Sequence, residues 1–266
     1  MRRITACFAV LLAATALLSG CGVDDSGTSG SSGSPSASES SAITGTINVF
    51  AAASLQDAFT TLGKQFEAAN AGTKVVFNFG PSSGLAEQIG QGAPADVFAS
   101  ASTSTMDEVV TGGEATAPTN FVANTMEIAV PPDNPAAITS VDDLAKKGVK
   151  VALCQADVPC GASALTVFEN AGITVTPVTE EIDVKATLAK VSLGEVDAGV
   201  VYVTDVLAEG DAVMGIEIPA DVNASTTYPI ATLTSSENQE TAQAFVDYVL
   251  SPDGAAVLTA AGFSKP

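Results

Sequence analysis

The chain contains no histidine at all among its 266 residues. Without an imidazole there is no base of the usual kind to activate a serine or cysteine nucleophile, and no histidine to complete a metal site. Basic residues are also scarce, with 10 Lys and Arg against 30 Asp and Glu and a formal charge of −20. Loss of an amino-terminal segment carrying Arg2 and Arg3 would remove two more positive charges, giving about −22. A body so acidic repels nucleic acid and anionic lipid headgroups. It also repels small anions at long range, so any anion it holds must be held by local dipoles. Cysteines number four, and the one long apolar run at the amino terminus, Ile4 to Leu18, is too short to be read as a spanning helix.

Gly80-Pro81-Ser82-Ser83-Gly84 formally matches the G-x-S-x-G nucleophile elbow and lies between a strand-like and a helix-like segment. Ser82 nevertheless has no histidine to take its proton, so hydrolase chemistry is set aside. No cofactor motif appears either, and the chain is read as a non-enzyme.

The first twenty residues read as an export signal. Met1-Arg2-Arg3 supplies the positive start, Ile4 to Leu18 the apolar stretch, and Ser19-Gly20 the small residues before a cut. Leu18-Ser19-Gly20-Cys21 resembles a bacterial lipobox, which implies a lipidated Cys21 as the first mature residue, anchored to the cell membrane outside the cytoplasm. Two acyl chains suffice for stable anchoring at roughly 0.8 kcal/mol per buried methylene. Residues 21–42 are rich in Ser and Gly with no apolar periodicity, and read as a flexible tether reaching roughly 25 Å. With Cys7 lost in the signal and Cys21 lipidated, Cys154 and Cys160 remain and are expected to form a disulfide. Closing so short a loop contributes about 2 kcal/mol.

From Ile43 onward, strand-like and helix-like segments alternate, the pattern of an α/β protein with mainly parallel sheets. Expected strands are Thr46–Ala51, Val75–Phe79, Val97–Ala99, Met126–Val130, Lys150–Leu153, Val175–Val178, Gly199–Val203 and Pro229–Leu233. Between them, Leu55, Phe59, Leu62 and Phe66 recur at helical spacing, with Ser54 placed as N-cap and Asp57 completing a capping box. Further helices are expected around Leu85–Ile89, Met106–Val110 and Val141–Lys147, after Cys160-Gly161, over Val184–Val191, from Thr204, and over Glu240–Leu250 and Asp253–Ala260. Four strand-to-helix junctions carry a hydroxyl or small residue at the helix entrance: Ser54, Ser82-Ser83, Cys160-Gly161-Ala162 and Asp183-Val184. In open α/β sheets such junctions line the ligand crevice, and free amides at helix N-termini attract anions.

Phe50-Ala51-Ala52-Ala53-Ser54-Leu55, Gly90-Gln91-Gly92-Ala93-Pro94-Ala95-Asp96-Val97-Phe98, Val158-Pro159-Cys160-Gly161, Gly199-Val200-Val201-Tyr202 and Ala261-Gly262-Phe263 resemble, in that order, the molybdate-binding proteins of bacterial ABC importers. The resemblance spans essentially all of Ile43 to Pro266. It implies a type II periplasmic-binding-protein fold, with residues 43–124 plus 229–266 as one lobe and 125–228 as the other. A tetrahedral dianion, molybdate or tungstate, would sit in the interlobe cleft of a monomer that serves a permease. By resemblance, Ser54 and Ser82 offer hydroxyl and amide donors, Cys160 and Val184 offer amides, and Tyr202 a phenol. Ser82 and Ser83 compete for one role, since Pro81 and Gly84 stand where hydroxyl residues are common. No metal is coordinated directly, because molybdenum arrives as its oxyanion. Lys185 reads as a solvated helix residue that could add long-range attraction. Two alternatives stay open: a receptor for another tetrahedral anion such as sulfate, and a tethered scaffold that binds none.

Overall fold

The computed structural model describes residues 43–266; the export signal, Cys21 and the tether lie outside the described residues. Among the described residues nine strands form one mixed sheet. β1 (Gly45–Ala52) leads through a 3-10 turn at Ala53–Leu55 into α1 (Gln56–Ala69), and β2 (Thr73–Gly80) into α2 (Ser82–Gly90). β3 (Val97–Ala99) precedes α3 (Thr103–Gly112). Then come β4 (Thr119–Val130), β5 (Val151–Cys154), α4 (Pro159–Ala171), β6 (Thr179–Glu181), α5 (Val184–Ser192), β7 (Ala198–Tyr202) and α6 (Val203–Glu209). β8 (Met214–Glu217), β9 (Ser225–Thr232), α7 (Gln239–Leu250) and α8 (Pro252–Ala260) complete the chain.

The strand order is β2-β1-β3-β9-β4-β7-β5-β6, with β8 on the far side of β4. Parallel pairing, the kind that βα repeats produce, holds β2-β1-β3 and β6-β5-β7. The middle is antiparallel: β3 pairs β9, β9 pairs β4, and β4 pairs both β7 and β8. β4 is long because its first half serves β9 and its second half serves β7 and β8. Thr119 to Thr125 run beside β9, with a bulge between Asn120 and Val122, and Met126 to Ala129 run beside β7.

These two strands pass between separate cores. Phe59, Phe66, Tyr228 and Phe245 anchor the first, which also takes Val122 from β4 and Ile230 from β9. Phe245 meets Phe66 edge to face at 5.4 Å, a geometry aromatic quadrupoles favour. Met126, Ile128 and Val130 enter the second core with Val151, Val167, Leu188 and Val200, and Ala224 joins it from just before β9. A third, smaller cluster under α2 and α3 holds Leu85, Ile89, Phe98 and Met106.

Several local expectations change. Ser54 is not a helix cap: α1 begins at Gln56, no side chain caps it, and Ser54 is buried within the 3-10 turn. Val141 to Ala145 form a 3-10 segment rather than an α-helix, with the Ser140–Asp143 capping box closing a single turn. The strand expected over Val175–Val178 begins later, at Thr179, because Pro177 has no N–H to contribute to a ladder. β8 has no counterpart among the expected strands. It is a short edge strand, and Glu217 at its end breaks the apolar pattern.

Candidate functional site

Three helices begin at one small cavity. Its lining includes Ala52, Ala53 and Ser54 from the β1–α1 junction, Gly80, Pro81 and Ser82 at the start of α2, Val158, Pro159 and Cys160 at α4, Asp183 and Val184 at α5, and Tyr202 at the end of β7. Ser54, Ser82, Cys160, Val184 and Tyr202 therefore all border the same space. Ser83 does not; it lines a separate, larger cavity. The free volume is about 20 Å³ counted at the centres of water-sized spheres, where one water needs roughly 10–15 Å³ on that measure. Such a space suits one compact group and excludes a sugar or peptide.

The first amides of a helix have no partner within it. At α2 the N-cap is Pro81 and at α4 it is Val158, and neither supplies a capping side chain. Pro159 occupies the first turn of α4, where its missing N–H costs nothing. At α5 the Asp183 carboxylate accepts the Ala186 amide at 2.8 Å, so it is engaged with its own helix. Each terminus also carries about half a positive charge from the aligned peptide dipoles.

Three hydroxyls complete the lining. The Ala101 N–H donates to Ser82 Oγ at 3.0 Å, which leaves the Ser82 O–H free to donate in turn. Ser54 Oγ lies 2.9 Å from the Tyr228 hydroxyl. The Tyr202 side chain is buried, and among the described residues its hydroxyl has no hydrogen-bond partner. A buried polar atom without a partner is costly, so this phenol is poised for a group that the protein itself does not supply. Burial, then the neighbouring Tyr228 and the Asp205 charge, push the Tyr202 phenol well above its usual pKa, which keeps it a donor at all physiological pH.

Cys154 and Cys160 are joined in a disulfide, as the sequence predicts. It ties the end of β5 to the first turn of α4. Gly161 follows because a Cβ there would collide with the backbone carbonyl of Gln155. The tight loop fixes where the Cys160 amide points.

Among the described residues no lysine or arginine lines the cavity. Lys185 is nonetheless close by and is not a solvated residue: its Nζ sits 2.8 Å from Asp57 Oδ2 and 3.5 Å from Asp205 Oδ1. Asp57 thus has an ion-pair role in place of the expected capping-box role. Tyr228 and Asp205 carried no motif, and Asp57 was read only as a capping residue, since the contacts Ser54–Tyr228, Lys185–Asp57 and Lys185–Asp205 are all distant in sequence. Only the placement of Asp205 three residues after Tyr202, in the first turn of α6, gives a local hint.

The model for the bacterial extracellular solute-binding protein family matches residues 47–264. The molybdate-binding protein ModA of Mycobacterium tuberculosis is 45% identical over 221 residues, covering 83% of this chain and 85% of that protein. A Bacillus subtilis protein provisionally named as an ABC transporter substrate-binding lipoprotein is 32% identical over 225 residues, covering 82% and 86%. The solved periplasmic molybdate-binding protein of Azotobacter vinelandii superposes with a TM-score of 0.74 at 20% identity, covering 83% of this chain and 99% of that one, and so shares its fold. The chain belongs to the bacterial extracellular solute-binding protein family and, within it, to the ModA family of molybdate-binding proteins.

Proposed function

We propose that this protein captures molybdate outside the cytoplasm and presents it to the permease of an ABC importer. The observation that carries the reading is the convergence of three helix N-termini and three hydroxyls on one small cavity that no cationic side chain lines. The mycobacterial relative that bears the molybdate-binding name, at 45% identity, supports the same ligand.

Ser54 and Ser82 supply hydroxyl and amide donors, Cys160 and Val184 supply amides, and Tyr202 its phenol. Hydrogen bonds to a charged acceptor contribute roughly 1.5–3 kcal/mol each, so the seven donors named sum to roughly 10–21 kcal/mol gross. Ordering and closure subtract several kcal/mol, and a net of about 8 kcal/mol, within that range, corresponds to micromolar affinity. Neutral fixed donors favour a fully deprotonated oxyanion, because a protonated one brings a donor with no acceptor to meet. Tungstate, equal in charge and nearly equal in size, is taken as well. The protein acts as a receptor and not as an enzyme.

Residues 43–124 with 229–266 form one lobe and 125–228 the other, except that Tyr228 packs in the first core, and β4 and β9 form the crossings about which they close. A lipid on Cys21 and the 21–42 tether hold the monomeric body near its permease. The test is a titration of molybdate into the mature chain and into its Ser54→Ala and Ser82→Ala variants. One-to-one binding that weakens at least tenfold in each variant supports the reading. Unchanged affinity in both removes the site.

A further inference from the structure

The cavity is ringed by a second layer of charge. Asp57 lies three residues after Ser54, Lys185 directly after Val184, and Asp205 three after Tyr202, so each charged group stands within three residues of a cavity-lining one. Lys185 joins the other two, at 2.8 Å from Asp57 and 3.5 Å from Asp205. Asp57 is on α1, packed on the first core, whereas Lys185 and Asp205 are on α5 and α6 beside the second.

Asp205 is the unusual member. Its side chain is 0% exposed, its Oδ2 accepts the Tyr202 N–H at 3.2 Å, and its Oδ1 has no hydrogen bond among the described residues. Lys185 is the one basic side chain in ion-pair range of it among the described residues. A buried carboxylate this close to a dianion site would oppose binding strongly, because like charges in a low-dielectric setting are poorly screened. Burial works against the Lys185 ammonium, yet Asp205 and Asp57 together outweigh it and hold its pKa above the ordinary value, so it stays charged.

We infer that Lys185 is a positioning residue for oxyanion capture: it neutralises buried Asp205 beside the cavity and, through Asp57, ties the two cores together across its mouth. The inference rests on the binding reading above and adds to it. The ligand is held by neutral donors in direct contact, while its affinity depends on a cation that never touches it. The partly exposed Asp57 pair supplies the part that salt can screen, and the Asp205 pair the part it cannot.

The test uses the mature protein with sodium molybdate, reading affinity by titration and release by stopped flow. Wild type must bind; if it does not, the functional reading fails and not this inference alone. With binding present, Lys185→Met, which keeps the aliphatic stem, weakens affinity tenfold or more, and Lys185→Arg retains it within about threefold. Asp57→Asn speeds release two- to fivefold and removes most of the salt dependence. Asp205→Asn recovers at least half of the lost affinity, on a logarithmic scale, in the Lys185→Met background, because it removes the charge that Lys185 no longer neutralises. Should Lys185→Met fold poorly, its double variant with Asp205→Asn, which buries no unpaired charge, folds and binds within about tenfold of wild type. Unchanged affinity and release in Lys185→Met, or no recovery when Asp205→Asn is added, overturns the inference.

Discussion

Removing the Tyr202 hydroxyl should move stability and affinity in different directions. Among the described residues this buried oxygen has no partner, so Tyr202→Phe deletes an unsatisfied polar atom while keeping a ring that packs at 6.2 Å from Tyr228. An unsatisfied buried hydroxyl costs about 1–3 kcal/mol, so the unliganded variant should melt no lower than wild type. For a body of this size each 1 kcal/mol moves Tm by roughly 2–4 °C, so full relief of that cost would raise Tm by roughly 2–12 °C. As the proposed donor to a bound oxyanion the same hydroxyl would be worth roughly 1.5–3 kcal/mol, and its loss should raise Kd by about 10- to 150-fold. Calorimetric melting without ligand and titration with molybdate measure the two quantities on one preparation. A variant that melts several degrees lower without ligand, or that binds within twofold of wild type, refutes the assignment of this phenol to the ligand.

Reducing the Cys154–Cys160 disulfide, or replacing both cysteines with serine, should lower stability by about 2 kcal/mol, the loop entropy of so short a ring, and weaken binding as the Cys160 amide loses its fixed direction; paired melting and titration check both. Gly161→Ala forces a Cβ against the Gln155 carbonyl and should cost about 1–3 kcal/mol and most of the affinity, whereas Gly92→Ala, at a positive φ with open space, should lower stability by about 1 kcal/mol and leave affinity intact. Asp205 gives a pH signature. Burial, only partly offset by Lys185 and the Tyr202 amide, raises its pKa from the ordinary 3.8 to about 6. The folded state then binds the proton more tightly than the unfolded chain, so this group's contribution is fully present below about pH 3.8 and is lost as pH rises to about 6. Denaturant melts across that window should show a flatter profile in Asp205→Asn; an identical profile contradicts the assignment.

The parts of the fold legible in sequence are those set by local pattern. Val97–Ala99 matches its strand to the residue, and Leu55, Phe59, Leu62 and Phe66 are all buried at their helical spacing. What escaped depends on pairing. The first half of β4, from Thr119, is polar at its start and becomes a strand because β9 lies beside it. Pro177 delayed β6, and the edge strand β8 is too short and too mixed to announce itself. Around the cavity, the residues at helix entrances were readable because strand-to-helix junctions have a recognisable grammar. Ser54 shows the limit of that grammar: its hydroxyl faces Tyr228, 174 residues away, instead of capping the next helix. The Lys185 bridge to Asp57 spans 128 residues and had no signal at all in a linear reading.

The most direct test of oxyanion capture is the melting temperature of the mature chain in equal concentrations of molybdate, tungstate, sulfate and phosphate. A ligand at 1,000 times its Kd adds roughly 4 kcal/mol to the folded state, which for a body of this size raises Tm by roughly 8–16 °C. The account predicts that rise with molybdate and tungstate and none with sulfate or phosphate. A rise with sulfate instead would contradict the ligand assigned to this cavity, and no rise with any of the four would contradict oxyanion capture itself.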